Sequence, residues 1–163
     1  GCLIEIEITA VSKQTELIKK PNRYHKKAPL KASESFQIGS FIFCSGIFDL
    51  SQATREEQKN QIQTKLDGIL AQFPEKNELT LQIINSVAQL SGALINSGSS
   101  LENLLKVTVY LKQNEDFTVF DTIFKTLVMD KYLPAIEAIV VPNPGPRPNS
   151  LFQIEAIGLA ANT

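Results

Sequence analysis

The chain has 163 residues, of which 43% are hydrophobic and 20% charged, and its formal net charge is −1. This composition predicts one globular domain with a core that needs no disulfide or metal, and the charge gives no overall attraction for nucleic acid. Two cysteines far apart and a single histidine match no zinc spacing, so we expect neither a metal nor another cofactor. No apolar run approaches the roughly 18 residues of a membrane span. We therefore expect a cytoplasmic protein without a membrane partner.

Near the beginning of the chain, residues 3–11 alternate between apolar and polar side chains, which predicts a half-buried strand. Residues 151–160 nearly repeat this stretch, with Ile154 and Glu155 aligning on Ile6 and Glu7. The repeat can be a chance similarity of two strands, or residues 1–14 can be a strand left over from a preceding, similar domain. We expect a linker over residues 15–35 and the domain proper over residues 36–163.

The predicted linker carries a basic cluster around Tyr24 and His25. It consists of Lys19, Lys20, Arg23, Lys26 and Lys27. Such a cluster can contact phosphate or RNA, or it can be a solvated part of a linker. We favour the linker, because no glycine-rich loop and no series of base-stacking aromatic residues accompanies the cluster.

Two elements are predicted between the linker and the middle of the chain. Residues 36–47 are dense in apolar side chains, including Phe41, Phe43 and Cys44, and this predicts one buried central strand with Cys44 in the core. Residues 54–73 begin with a capping box, Thr54 to Glu57, and continue as an amphipathic helix that ends at Pro74. The sequence does not decide whether this helix packs on its own sheet, on a neighbouring subunit or on an upstream domain.

Residues 82–117 contain a second helix followed by a strand. Apolar residues at Ile83, Val87, Leu90 and Leu94 form one helical stripe, and Gly98 can end the helix because glycine adopts a positive φ without steric cost. Residues 106–111 alternate, which predicts a strand with two distinct faces. The pattern indicates a helix packed on a sheet.

The last third of the chain predicts another helix and two strands. Apolar residues recur at helical spacing over residues 116–132, and an apolar run over residues 135–141 predicts a strand. Residues 142–149, PNPGPRPN, predict a rigid hairpin connection to the closing strand rather than a polyproline ligand.

Four short stretches in this order resemble the RidA/YjgF family of small trimeric imine deaminases. They are GSFIFCSG at 39–46, residues 98–117, Pro134-Ala135, and residues 154–157. The resemblance implies an α+β, chorismate mutase-like fold: a mixed sheet with two core helices on one face, to which this chain adds the helix at 54–73. It also implies a homotrimer, or a pseudo-trimer with a tandem domain, with a small-molecule ligand in the cleft between subunits.

The residues that carry the family's chemistry differ in this chain. In the family an arginine after Pro-Ala grips the substrate carboxylate and a glutamate on the last strand helps to position water; here these positions hold Ile136 and Gln153. Isoleucine cannot bind a carboxylate and glutamine cannot act as a base. The candidate cleft residues are Ser45, Asp121, Ile136, Ala138 and Gln153. Of the three arginines, Arg147 belongs to the predicted turn far from Ile136, and Lys31 or Lys106 could supply only a point charge.

Three functions follow as hypotheses. The first is a family domain without 2-imino acid deaminase activity that binds a small ligand or serves assembly, for instance within a larger protein such as a diphthine–ammonia ligase. The second is an enamine or imine deaminase, a hydrolase, whose substrate lacks a carboxylate. The third is an RNA-directed, endoribonuclease-like activity, which only the basic cluster supports. Whether the domain is an enzyme stays open at this point, and nucleic acid is the least expected partner.

Overall fold

The computed structural model describes residues 19–24, 33–48, 71, 73–128 and 133–161. These residues form an α+β fold with a mixed sheet and two helices, as predicted. The strands are β1 (Lys19–Tyr24), β2 (Ser33–Ile38), β3 (Phe41–Ile47), β4 (Leu104–Leu111), β5 (Ala135–Val140) and β6 (Phe152–Leu159). The helices are α1 (Asn77–Asn96) and α2 (Asp116–Val128), with short 3-10 turns at Pro74–Lys76 and Leu101–Asn103.

The described strands form one sheet in the order β1-β2-β3-β6-β4-β5. Neighbouring strands are antiparallel except for β4 and β5, which are parallel. Two parallel neighbours need a crossover connection, and α2 supplies it between the end of β4 and the start of β5. The last strand, β6, therefore inserts between β3 and β4 and lies in the middle of the sheet.

The core lies between one face of the sheet and the two helices. The predicted stripe of α1, from Ile83 to Leu94, is buried against it, and alternate residues of β4 and β6 point into the same core. Gly98 lies two residues after the last residue of α1 and has φ +75°, a backbone conformation in which a residue with a Cβ would be strained. The 3.6-residue and 2-residue periods of the sequence thus set which faces are buried.

The segment predicted as a linker instead contains sheet structure. Residues 19–24 form β1, which pairs with β2, and residues 33–35 are the first half of β2. The strand was not predicted because β1, with Pro21 and two lysines, lacks the apolar alternation that identifies a strand facing a core. An edge strand tolerates proline and lysine, since one side of its backbone needs no partner.

Residues 36–47 form two strands, not the single one predicted. A turn at Gly39 and Ser40, with Gly39 at φ +58°, folds β2 back onto β3. Ile42 and Cys44 enter the core as expected, but Phe41 is 46% exposed and Phe43 only half-buried. The two phenylalanines alternate with the core residues and so point to the opposite face of the sheet.

The proline-rich segment after β5 connects strands that do not pair with each other. β5 and β6 lie on opposite sides of β4, so the predicted hairpin connection is a loop that passes over the end of β4. The predicted strand over residues 3–11 and nearly all of the predicted helix over 54–73 lie outside the described residues, as do residues 129–132. In the described part of the chain, no helix combines the length and apolarity needed to cross a membrane.

Candidate functional site

The sheet has one face that α1 and α2 leave uncovered, and we call it the open face. Val107, Val109 and Leu111 of β4 are fully buried toward the helices, so the alternate residues Lys106, Thr108 and Tyr110 lie on the open face. In β6, Phe152, Ile154 and Ala156 are buried, and the residues between them, which include Gln153 and Glu155, lie on the open face.

Glu155 is the centre of a polar group on the open face. The hydroxyl of Tyr110 on β4 donates to Oε2 of Glu155 at 3.2 Å, and Nε2 of Gln153 donates to Oε1 at 3.4 Å. All three side chains are half-buried. We call Tyr110, Gln153 and Glu155 the Glu155 cluster; it joins a carboxylate to two neutral donors.

A bulge in β3 makes room for this cluster. Cys44 pairs with Ala156 and Ile47 with Ile154, so that Ser45 and Gly46 together oppose the single residue Glu155. A Cβ at Gly46 would lie 2.4 Å from Nε2 and 2.9 Å from Cδ of Gln153, and 3.4 Å from Oε1 of Glu155. The missing side chain of Gly46 is therefore the space that the carboxamide of Gln153 fills.

A second carboxylate on the open face, Glu137 of β5, forms an ion pair. Nζ of Lys106 lies 2.8 Å from Oε2 of Glu137, and the hydroxyl of Thr108 donates to the same oxygen at 3.3 Å. The hydrogen bond from Lys106, together with its positive charge, lowers the pKa of Glu137 below its usual range. In the register of the sheet, Thr108 lies between Glu137 on β5 and Glu155 on β6.

A group of apolar side chains lies on the open face near the start of β4. In the register of the sheet, Phe41 is opposite Leu159, and Phe43 is opposite Ile157. Leu105, at the irregularity between Leu104 and Lys106 of β4, is 42% exposed. We call these five residues the apolar patch; they are Phe41, Phe43, Leu105, Ile157 and Leu159. The open face is thus apolar toward the start of β4 and polar toward its end.

The structure separates the five predicted cleft residues. Ser45 and Gln153 come together at the bulge, since Ser45 is exposed there and Gln153 lies against its neighbour Gly46. Ile136 and Ala138 are instead on the helix side of the edge strand β5, where Ile136 is paired with Val107. Asp121 is on α2 and forms an ion pair with Lys125 at 2.7 Å. One copy of the chain therefore carries these residues in three places: at the bulge, on β5 and on α2.

Ile136, at the family's arginine position, packs against the hydrophobic core and is partly buried. Arg147 lies exposed in the loop between β5 and β6. Lys106 forms an ion pair with Glu137. Lys31 and Arg55 lie outside the described residues.

Sequence reasoning missed Tyr110 and Glu155 as site residues. Their alternation with buried neighbours was visible, and it placed both on the polar face of their strands. What the sequence could not reveal is that β6 inserts next to β4, because that pairing joins residues 45 positions apart. Among the described residues, no three His, Cys, Asp or Glu side chains are grouped closely enough to hold a metal ion.

Comparison with known proteins finds one similarity in amino-acid sequence among curated proteins. The chain is 28% identical, over 92 residues, to a RutC family protein of Pyrococcus abyssi; the match covers 56% of this chain and 59% of that protein, less than two thirds of its length. A search against models of protein families finds no match.

Solved structures extend the similarity over most of the chain. A YjgF family protein of Neisseria meningitidis aligns with a TM-score of 0.63 at 18% identity, covering 86% of this chain and 96% of that one. Yeast Mmf1 aligns with a TM-score of 0.65 at 17% identity, covering 88% and 100%. RidA from the Antarctic bacterium Psychrobacter sp. aligns with a TM-score of 0.60 at 18% identity, covering 82% and 91%.

At these identities the solved structures establish the fold, and the Pyrococcus relative adds a similarity in sequence. Both point to the family that the four short stretches suggested. The resemblance to the RidA/YjgF family is therefore confirmed, and the chain has the fold of that family.

Proposed function

We propose that this chain is a RidA/YjgF-fold subunit that assembles through the apolar patch of its open face and holds a small ligand at the resulting interface, without hydrolysing 2-imino carboxylates. The observation that supports the absence of 2-imino acid hydrolysis is the position of Ile136. Its side chain packs against the core at the position where the family's arginine would bind the substrate carboxylate. Gln153, at the glutamate position, cannot accept a proton from water.

The apolar patch supports the assembly. Phe41 is 46% exposed and Leu105 42%, although each belongs to a strand whose alternate residues are almost fully buried. Apolar side chains grouped on one sheet face are typical of a protein–protein interface. In one copy of the chain, Ser45 and Gln153 lie apart from Ile136 and from Asp121. Assembly would bring Ser45 and Gln153 of one copy close to Ile136 and Asp121 of another.

Two measurements test this proposal. Analytical ultracentrifugation of the full chain should give the mass of a trimer, and Phe41→Ser should shift the mass toward the monomer. The chain should not accelerate the hydrolysis of 2-iminopropanoate generated in situ, relative to buffer. A monomeric mass at all concentrations would contradict the assembly, and hydrolysis that Ile136→Ala changes would contradict the loss of activity.

A second candidate function has one observation in its favour. Tyr110 and Glu155 form a hydrogen-bonded pair of an acid and a carboxylate, as a hydrolase acting on an enamine or imine without a carboxylate would need. Under this hypothesis neutral enamines would be hydrolysed, and Glu155→Gln would abolish the reaction. If no member of a panel of neutral enamines is hydrolysed, this second function is contradicted and the ligand-binding role remains.

A further inference from the structure

We infer that the side chain of Gln153 binds a small neutral molecule through a carboxamide or lactam group of that molecule. This inference rests on the proposed function, because it names the ligand class of the same subunit interface. Its basis is a carboxamide on the open face that is held by Gly46 and Glu155 and keeps a donor and an acceptor for a ligand.

The carboxamide of Gln153 lies in a space that the backbone provides. The bulge in β3 sets Gly46 opposite β6, and a Cβ at Gly46 would lie 2.9 Å from Cδ of Gln153 and closer still to Nε2. On another side, Nε2 donates to Oε1 of Glu155 at 3.4 Å. These two contacts restrict a side chain that is otherwise flexible, so the carboxamide is oriented before a ligand arrives.

The hydrogen bond to Glu155 uses only part of the carboxamide. A glutamine side chain has two N–H donors and one carbonyl oxygen. Within the described part of the chain, Gln153 forms this one side-chain hydrogen bond, so one N–H and the oxygen Oε1 are left for a ligand. Among the described residues, the fully buried side-chain atoms without a hydrogen bond are the hydroxyl oxygens of Thr80 and Ser86. Oε1 of Gln153 is therefore in contact with solvent.

One donor and one acceptor on the same carboxamide favour a neutral ligand. A carboxylate can accept from the N–H but has no hydrogen to donate to Oε1, and an alkylammonium group can donate but cannot accept. A carboxamide or lactam carries both groups side by side. A ligand that lacks one of them removes water from Gln153 without replacing its hydrogen bond, and this penalty makes the site selective.

The surface beside Gln153 suits a flat, apolar ligand body. Tyr110 is the cross-strand neighbour of Gln153 on β4, and Ile139 of β5 is the next residue in the same row across the sheet. Both side chains are half-buried on the open face. Aromatic and aliphatic side chains contribute large contact areas to a bound ring. A single ring that carries the amide group matches this row.

NMR titration of the ¹⁵N-labelled full chain with three probes of similar shape tests the inference. Benzamide has a donor and an acceptor, acetophenone has only the acceptor, and benzoate is an anionic acceptor. We expect benzamide to shift the side-chain NH₂ signals of Gln153, which are identified by their absence in Gln153→Met. Benzamide should bind about tenfold more tightly than either acetophenone or benzoate, the effect of one hydrogen bond.

Three variants locate the binding. Gln153→Met has a side chain of similar length without the carboxamide, and it should abolish the preference for benzamide over acetophenone. Gly46→Ala should weaken benzamide binding, since its Cβ would displace the carboxamide. The matched control is Gln113→Met, the same exchange at an exposed position in the turn before α2, which should leave the affinity unchanged.

The contrary results are equally specific. The inference is overturned by benzamide that does not shift the Gln153 signals, by acetophenone or benzoate that binds as tightly as benzamide, or by equal weakening in Gln153→Met and Gln113→Met. Should Gln153→Met not fold, the comparison of Gly46→Ala with the control decides, and equal affinities of these two variants for benzamide overturn the inference.

The mass of the same samples separates this inference from the proposed function. A trimer that does not bind benzamide contradicts the ligand class alone. A monomer that binds benzamide through Gln153 contradicts the assembly alone.

Discussion

Ser35 and Ser97 share a buried hydrogen bond between their hydroxyl oxygens at 2.8 Å. Ser35 lies on β2, and Ser97 follows the last residue of α1, where its hydroxyl also donates to the carbonyl of Ala93 at 2.8 Å. The two serines are 2% and 9% exposed. This contact ties a strand in the segment expected to be a linker to the end of the central helix.

Ser35→Ala should therefore lower the free energy of unfolding by about 0.5–1.5 kcal/mol, the usual contribution of one such hydrogen bond. Ser97 keeps its bond to Ala93, so the remaining hydroxyl is not left unpaired. Urea unfolding of both single variants and of the double variant Ser35→Ala/Ser97→Ala measures the coupling between them. If the effects of the two single variants simply add, the hydrogen bond contributes no stability.

The side chain of Gln82 on α1 holds the loop that precedes β6. Its Oε1 accepts from the amide of Leu151 at 2.8 Å, and its Nε2 donates to the carbonyl of Asn149 at 3.0 Å. Gln82→Ala should cost about 1–2 kcal/mol, because one bonded backbone amide then loses its partner. Hydrogen exchange of the Leu151 amide should become faster by more than the global loss of stability explains.

The matched control for this prediction is Gln113→Ala, which removes the same functional group from an exposed position in the turn before α2. We expect its effect to stay within about 0.5 kcal/mol of the wild-type stability. Equal losses from Gln82→Ala and Gln113→Ala would mean that the loop does not depend on Gln82.

Two ion pairs that involve α2 should differ in strength. Nζ of Lys76 lies 2.6 Å from Oδ1 of Asp116, whose side chain is only 6% exposed, whereas Lys125 and Asp121 pair on the outside of the helix. Lys76→Met should cost about 1–3 kcal/mol because it leaves a buried carboxylate without its cation. Lys125→Met should cost only about 0.3–0.5 kcal/mol. Thermal or urea unfolding of both variants checks the order, which a larger loss from Lys125→Met would reverse.

The pair of Lys106 and Glu137 predicts a small pH dependence. Because the hydrogen bond from Lys106 lowers the pKa of Glu137 in the folded protein, its stabilisation is present above the pKa of the unfolded chain and is lost as the pH falls through the folded pKa. The stability difference between wild type and Glu137→Gln should therefore shrink on acidification. NMR titration of the Glu137 carboxyl carbon should show a higher midpoint in Lys106→Met, and an unchanged midpoint would refute the assignment.

The sequence predicted the fold where one face of an element meets the core. The stripe from Ile83 to Leu94, the alternation of β4 and the glycine end of α1 are all as expected, because burial on one face imposes a strict period. The sequence did not predict β1, because Lys19–Tyr24 carries no such period. It also did not predict the two-residue turn at Gly39, which lies within an apolar run. Edge strands and tight turns are determined by backbone pairing, which the side-chain pattern does not record.

The site was predictable only in part for a similar reason. The resemblance identified Ile136 and Gln153 as changed positions, but their faces depend on which strands are neighbours. The insertion of β6 between β3 and β4 puts Gln153 beside Gly46 and Glu155 beside Tyr110, whereas Ile136 points to the core side of β5. Long-range pairing of this kind is set by the whole sheet rather than by any local spacing.

Introducing the arginine and glutamate of the family should therefore not by itself produce hydrolysis of 2-imino acids. Ile136→Arg replaces a side chain that packs against the core, and we expect it to cost about 1–3 kcal/mol. Ala138→Arg, at an exposed position on the same side of the same strand, is the matched control and should cost less than about 0.5 kcal/mol. Urea unfolding measures both, and the double variant Ile136→Arg/Gln153→Glu can then be assayed with 2-iminopropanoate. Equal stability of the two arginine variants would contradict the core contact of Ile136. Hydrolysis by the double variant would mean that an arginine at position 136 can reach a cleft.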